Sequence, residues 1–159
     1  LTGHLVFSTL HTNDAPSSIT RLQNMGTPNY LISAALTLIM AQRLARKNCS
    51  ECSVIDENVT PKLLNSIGFL PEQSARAKIY KGKGCDQCGN SGYKGRMGIY
   101  EILEIDKELK QGILSDLSQT ELNSIAKKNG FKTMQEMGHD LLLSGDLSFS
   151  EYERVLQSN

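Results

Sequence analysis

Four cysteines stand in two matched pairs. Cys49 and Cys52 form one C-x-x-C and Cys85 and Cys88 another, with thirty-two residues between the pairs. That is the ligand arithmetic of a tetrahedral zinc site, in which each turn presents two thiolates and the intervening loop brings the turns together. All four cysteines of the chain are used. The second pair lies within Gly82–Gly92, where four of eleven residues are glycine. A metal-binding turn needs backbone amides aimed at sulfur, and glycine adopts the required dihedrals cheaply. The competing chemistry for the same pattern is two disulfides or a pair of redox C-x-x-C motifs.

A second candidate lies at the beginning of the chain. Leu5–Leu10 is short, apolar and β-branched or aromatic, and reads as a buried, parallel strand. His11, Thr12 and Asn13 follow at its C-terminal end, where open α/β sheets bind ligands. A histidine and an amide there can donate hydrogen bonds to a phosphate, or can simply cap the loop. No G-x-x-x-x-G-K-[S/T] occurs in the 159 residues, so the chain has no triphosphate-cradling loop of its own. No G-x-S-x-G elbow marks a hydrolytic serine either.

Composition narrows the remaining classes. Seventeen basic and seventeen acidic residues give a net charge of zero, without the basic stripe of a nucleic-acid binder. The longest apolar run, residues 31–41, is too short to span a bilayer. With no signal peptide in view, the expected setting is reducing and cytosolic, where paired cysteines hold metal more often than disulfides. Leu1 is not a methionine and is followed at once by the strand-like run, so the chain reads as a fragment of a longer protein.

The elements that position these residues are legible in outline. Asp14 and Pro16 predict a cap and first turn, with a helix running to Met25 and stopping at Gly26. A second helix is expected from about Asn29 to Lys47, with the basic run 43–47 at its C-terminus. Residues 61–68 read as a short helix, 76–81 as a weak strand, and 93–103 as a turn leading into a strand. Helices are expected over 109–117, from Ser118 to about Gly130, over 133–143, and from Ser148 to about Gln157. Ser118–Glu121 and Ser148–Glu151 both have capping-box form.

The stretch TGHLVFSTLHTNDA at 2–15, AQRLAR at 41–46, the two cysteine pairs, GYKGR at 92–96 and GIYE at 98–101 together resemble the secretion ATPases, the hexameric motors of type II secretion and type IV pilus assembly. The resemblance is carried by TGHLVFSTLHTNDA at residues 2–15, which looks like that family's His box. It continues through Arg21-Leu22, Met25-Gly26, AQRLAR at 41–46 and the first cysteine pair. It resumes at GCDQC (84–88), GYKGR (92–96) and GIYE (98–101), and ends in a similar tail with Gly138, Gly145 and residues 151–155. Residues 14–16 and 42–46 lean toward the pilus-assembly branch, and the tetracysteine site argues against the retraction motors. Met137-Gly138 departs from the family's usual Asp-Gly.

The resemblance implies an α/β fold: the C-terminal part of a RecA-like P-loop ATPase domain, with an inserted tetracysteine zinc subdomain and a C-terminal helical subdomain. The implied segments are 1–48 for the core with its His box, 49–95 for the zinc subdomain, 96–108 for a returning core strand, and 109–159 for the helical subdomain. His11 matches the histidine that approaches the γ-phosphate and His4 the second histidine of the box. Arg21 and Arg43 match family arginines that are candidates for nucleotide contact, with packing or ion pairing as the alternative. Cys49, Cys52, Cys85 and Cys88 match the zinc ligands. The implied cofactors are structural Zn2+ and, in the whole motor, Mg-ATP. The implied partners are further copies in a hexameric ring and an inner-membrane platform protein, at the cytoplasmic face of that membrane. The chain alone is expected to be inactive. The reading from a different class is a non-catalytic, zinc-held interaction module.

Overall fold

The computed structural model describes residues 3–157 of the chain. It is an α/β structure whose compact units interleave in sequence. One unit runs to Ala41 and resumes over Tyr100–Thr133; the other joins Gln42–Ile99 to the segment that begins at Met134. Among the described residues, no helix is long and apolar enough to cross a membrane.

The first unit contains α1 (Ser17–Asn24), α2 (Asn29–Ala35), α5 (Lys107–Leu114) and α6 (Gln119–Lys128). Their apolar faces bury Ala15, Ile19, Ile32, Leu109, Ile113, Leu122 and Ala126 in one core with Leu103 and Ile105. The caps are local. Asp14 Oδ1 accepts the Ser17 N–H at 2.7 Å. Asp106 Oδ1 accepts that of Leu109 at 2.8 Å. Ser118 and Glu121 form the expected capping box at α6, which holds the Glu121 carboxyl below the usual carboxylate range.

Two expectations for the N-terminal half are corrected. Leu5–Leu10 forms no strand: among the described residues none pairs with it, and Val6 and Phe7 are 77% and 88% exposed. An apolar, β-branched run becomes a strand only where a neighbour satisfies its backbone groups.

The helix expected over 29–47 ends at Ala35. Residues Leu38–Asn48 form β1, paired with β4 (Tyr93–Glu104). Along β1, Ile39, Ala41, Arg43 and Ala45 face inward while Leu38, Met40, Gln42 and Leu44 face out, a period of two. The basic run 43–47 therefore complements no helix dipole.

In the second unit the cysteine loop carries β2 (Ser53–Ile55), α3 (Pro61–Ser66), α4 (Pro71–Ser74) and β3 (Tyr80–Gly82). Thr60 caps α3 and proline takes its first position. The unit closes with α7 (Met134–Ser144) and α8 (Phe149–Tyr152), which continues into a π-helical turn over Glu153–Gln157. Phe69, His139, Tyr152 and Phe149 form a chain of ring contacts, and His139 Nε2 lies 3.0 Å from the Ile67 carbonyl and 3.1 Å from the Tyr152 hydroxyl.

The second capping box forms only half. Ser148 Oγ accepts the Glu151 N–H, but the Glu151 carboxylate turns away to Arg46 and Arg154. Arg46 gives it a backbone N–H at 2.7 Å and two guanidinium bonds at 2.9 and 2.7 Å, and its own guanidinium lies 4.1 Å from the centre of the Tyr93 ring. The Glu151 side chain is fully buried. Burial pushes its acidity down, but the two arginines and the backbone donor outweigh it and hold the carboxyl at about 2, against 4.5 for a free one.

The stabilisation from a depressed carboxyl is complete above its unfolded value and fades as pH falls toward the folded one. Glu151→Gln should therefore cost about 2–3 kcal/mol at pH 7, tempered because both arginines stay half-exposed and water can take them. Denaturant titrations should show this gap from wild type shrinking between about pH 4.5 and pH 2.

Candidate metal centre and the His11 cleft

Each cysteine pair is shaped by a short turn that begins at its first cysteine. The Cys52 N–H donates to the Cys49 carbonyl and the Cys88 N–H to the Cys85 carbonyl, and a 3₁₀ turn follows in each case, Ser50–Cys52 and Asp86–Cys88. Antiparallel pairing of β2 with β3, with Ser53 opposite Gly82, brings the two turns together. The Cys49 N–H donates to the Gly92 carbonyl and the Lys83 N–H to that of Cys52. Here the glycines are required by space: a Cβ on Gly82 would lie 1.9 Å from the Gly92 carbonyl oxygen.

The result is four sulfurs all within 4.8 Å of one another. Cys49 and Cys85 are separated by 3.9 Å, Cys52 and Cys88 by 3.9 Å, and Cys85 and Cys88 by 3.7 Å. A disulfide needs about 2.05 Å. Four thiolates at about 2.3 Å around one tetrahedral ion stand roughly 3.8 Å apart, which these three spacings match. Backbone donors complete the arrangement. Gly84 N–H points at Cys52 Sγ at 3.3 Å, and Cys85 and Gly92 N–H point at Cys88 Sγ at 3.2 and 3.3 Å.

Charge is uneven among the thiols. Burial, aided by the neighbouring thiols, pushes Cys52 up to about 11 against the Gly84 donor. At Cys88 the same burial is outweighed by the Cys85 and Gly92 N–H groups and by the Cys85 and Cys52 thiols, which bring it down to about 6. Four crowded thiols favour one anion and resist the next, and a divalent cation at their centre would let all four ionise. The four cysteines fit a metal ion, and Asn48 seats the first of them. Its N–H donates to the Asp146 carbonyl and its Nδ2 to the Tyr80 and Gly145 carbonyls.

The second site is an open cleft of about 310 Å3 in the first unit, lined by His11, Thr12, Asn13, Ser17, Arg21 and Gln119 among others. The loop 11–14 supplies the first three residues and the exposed face of α1 supplies Ser17 and Arg21. The structure thus places His11 and Arg21 in one cleft, though they stand ten positions apart in sequence. His4 is exposed and does not line this cleft. Arg43 belongs to the other unit, where its guanidinium donates to the Val155 carbonyl. Imidazole and guanidinium with hydroxyl and amide donors in one cleft form a donor-rich surface suited to phosphate oxygens.

The model of the type II/IV secretion system protein family matches residues 1–154. The chain belongs to this family. Among its relatives, the type IV pilus assembly ATPase PilB of Thermus thermophilus is 44% identical over 151 residues, 95% of this chain and 17% of the relative. The type IV pilus assembly ATPase TfpB of Acinetobacter baylyi is 44% identical over 160 residues, covering 98% of this chain and 26% of the relative. Type II secretion system protein E of Aeromonas hydrophila is 35% identical over 162 residues, 100% of this chain and 31% of the relative. The chain thus spans less than a third of the length of these family members.

Sequence reading missed three residues that organise the two sites and their surroundings. Asn48 gave no signal beyond standing next to Cys49. Glu151 was read as half of a capping box. Glu101, whose Oε1 accepts the Ala15 N–H at 2.7 Å, was noted only within a motif. Its signal was an acidic residue at an inward position of an alternating strand.

Proposed function

We propose that this chain is a C-terminal region of a motor ATPase that powers type IV pilus assembly. The observation that carries the reading is the difference in likeness: 40–44% identity to pilus assembly ATPases across nearly the whole chain, against 34–37% to type II secretion proteins. In this reading the chain is a late part of a RecA-like P-loop domain, and the P-loop and magnesium site come from sequence outside the 159 residues. The motor works as a hexameric ring at the cytoplasmic face of the inner membrane and acts on a platform protein there.

The His11 cleft is the chain's contribution to the nucleotide. Phosphoryl transfer depends mostly on positioning and on stabilising charge that spreads over the phosphate oxygens. His11 and Arg21 supply donors for that charge, so His11 need not act as a base. The cysteine cluster holds Zn2+, which adds no chemistry and fixes the loop between the two cysteine pairs. The competing assignment is the type II secretion motor. Disruption of the gene should abolish surface pili, seen by electron microscopy, while the secreted enzymes of the same cells stay at normal levels. Intact pili with failed secretion would move the protein to the other branch.

A further inference from the structure

On β4 the buried positions alternate as Ile99, Glu101 and Leu103, so a carboxylate occupies a place the pattern reserves for an aliphatic side chain. Glu101 is 2% exposed. Burying a carboxylate among apolar groups is unfavourable unless its oxygens are hydrogen-bonded. Glu101 Oε1 accepts the N–H of Ala15 at 2.7 Å, across 86 residues of sequence.

The donor needs this partner as much as the acceptor does. Ala15 is fully buried and precedes Pro16, in the turn between the His11 loop and α1. A buried N–H left without an acceptor costs the full desolvation of that group. Within the loop's own neighbourhood, Asp14 Oδ1 takes the Ser17 N–H, and Thr12 Oγ1 lies 2.8 Å from Ser18 Oγ, both ties to α1. Glu101 adds a tie to β4, four residues beyond His11.

We infer that Glu101 is a positioning residue for the cleft, holding the 11–15 turn so that His11 meets the reacting phosphate. The inference rests on the nucleotide reading of His11 given above. Glu101 touches no substrate; it acts through the Ala15 N–H and the short loop between. Small displacements of a charge-stabilising group have large effects on rate, on the order of 100-fold for 1 Å. Such an effect falls on kcat rather than on nucleotide binding, which the rest of the site supplies.

The test is steady-state ATP turnover by the full-length protein carrying Glu101→Gln, Glu101→Asp, Glu101→Leu or His11→Ala, and the Leu change combined with His11→Ala. Glutamine keeps an acceptor at the same reach, and its kcat should stay within about threefold of wild type. Leucine removes the acceptor at similar volume and should lower kcat at least about tenfold, with KM within about threefold. The double variant should be no slower than His11→Ala alone, because the two changes remove the same interaction.

Wild-type kcat in a folded Leu variant, or a double variant slowed by the product of the single effects, would overturn the positioning role. Should the Leu protein fail to fold, Asp against Gln decides. Aspartate keeps the carboxyl group but withdraws the acceptor, so it should lose more kcat than Gln; the reverse order overturns the inference. A His11→Ala protein with unchanged turnover would instead refute the nucleotide reading of His11, an outcome separate from any of these.

Discussion

Stripping the metal should be the most damaging single change to the second unit. Protein purified without added metal should contain about one zinc per chain, as four tetrahedral thiolate ligands require. Chelation, or Cys85→Ser, should then abolish amide-exchange protection through both cysteine turns and the β2–β3 pair. Those strands are three residues each, and Val54 and Ile55 are exposed, so the ladder has little apolar burial behind it. A hairpin of that size is marginal in water by itself. Binding free energy at such sites is largely folding free energy, on the order of 10 kcal/mol in small zinc modules.

The first unit has its own core around Ile19, Ile32, Leu109 and Ile113, so its protection should persist. Metal-free protein that keeps its β2–β3 protection and carries Cys49–Cys52 and Cys85–Cys88 disulfides would contradict this account of the cluster.

The cluster was legible because its chemistry is encoded in residue identity and spacing alone. Helix starts were legible for the same reason: the Ser118 box, the Asp14 contact at α1 and the Thr60-Pro61 start of α3 are local. What escaped was non-local. Leu38, Met40, Ala41, Gln42, Arg43 and Leu44 are good helix formers, and their conversion to β1 follows from pairing with β4, some fifty residues away. Leu5–Leu10 has strand composition, yet the described residues offer no ladder for it.

Glu151 fitted a local capping pattern but was drawn to arginines, one of them 105 residues away. Glu101 could not be told from an ordinary strand-end acid without knowing which face of β4 is buried. The His11 cleft lies between these cases. Its residues were visible as a motif, but the meeting of His11 with Arg21 depended on how α1 follows its loop.

The nucleotide reading stands on His11, and replacing it should have the largest effect on rate of any change considered. The imidazole faces an open cleft beside Arg21, in a loop tied at Asp14 and Ala15, so truncation should leave the fold intact. A donor aimed at charge that grows during phosphoryl transfer matters more in the transition state than in the bound ground state. The decisive measurement is single-turnover ATP hydrolysis, alongside nucleotide affinity, for the full-length protein with and without His11→Ala. The His11→Ala protein should show a chemical step slowed about 100-fold with nucleotide Kd within about threefold. A folded His11→Ala protein that hydrolyses ATP at the wild-type rate would contradict the nucleotide reading and leave His11 as a structural cap of its loop.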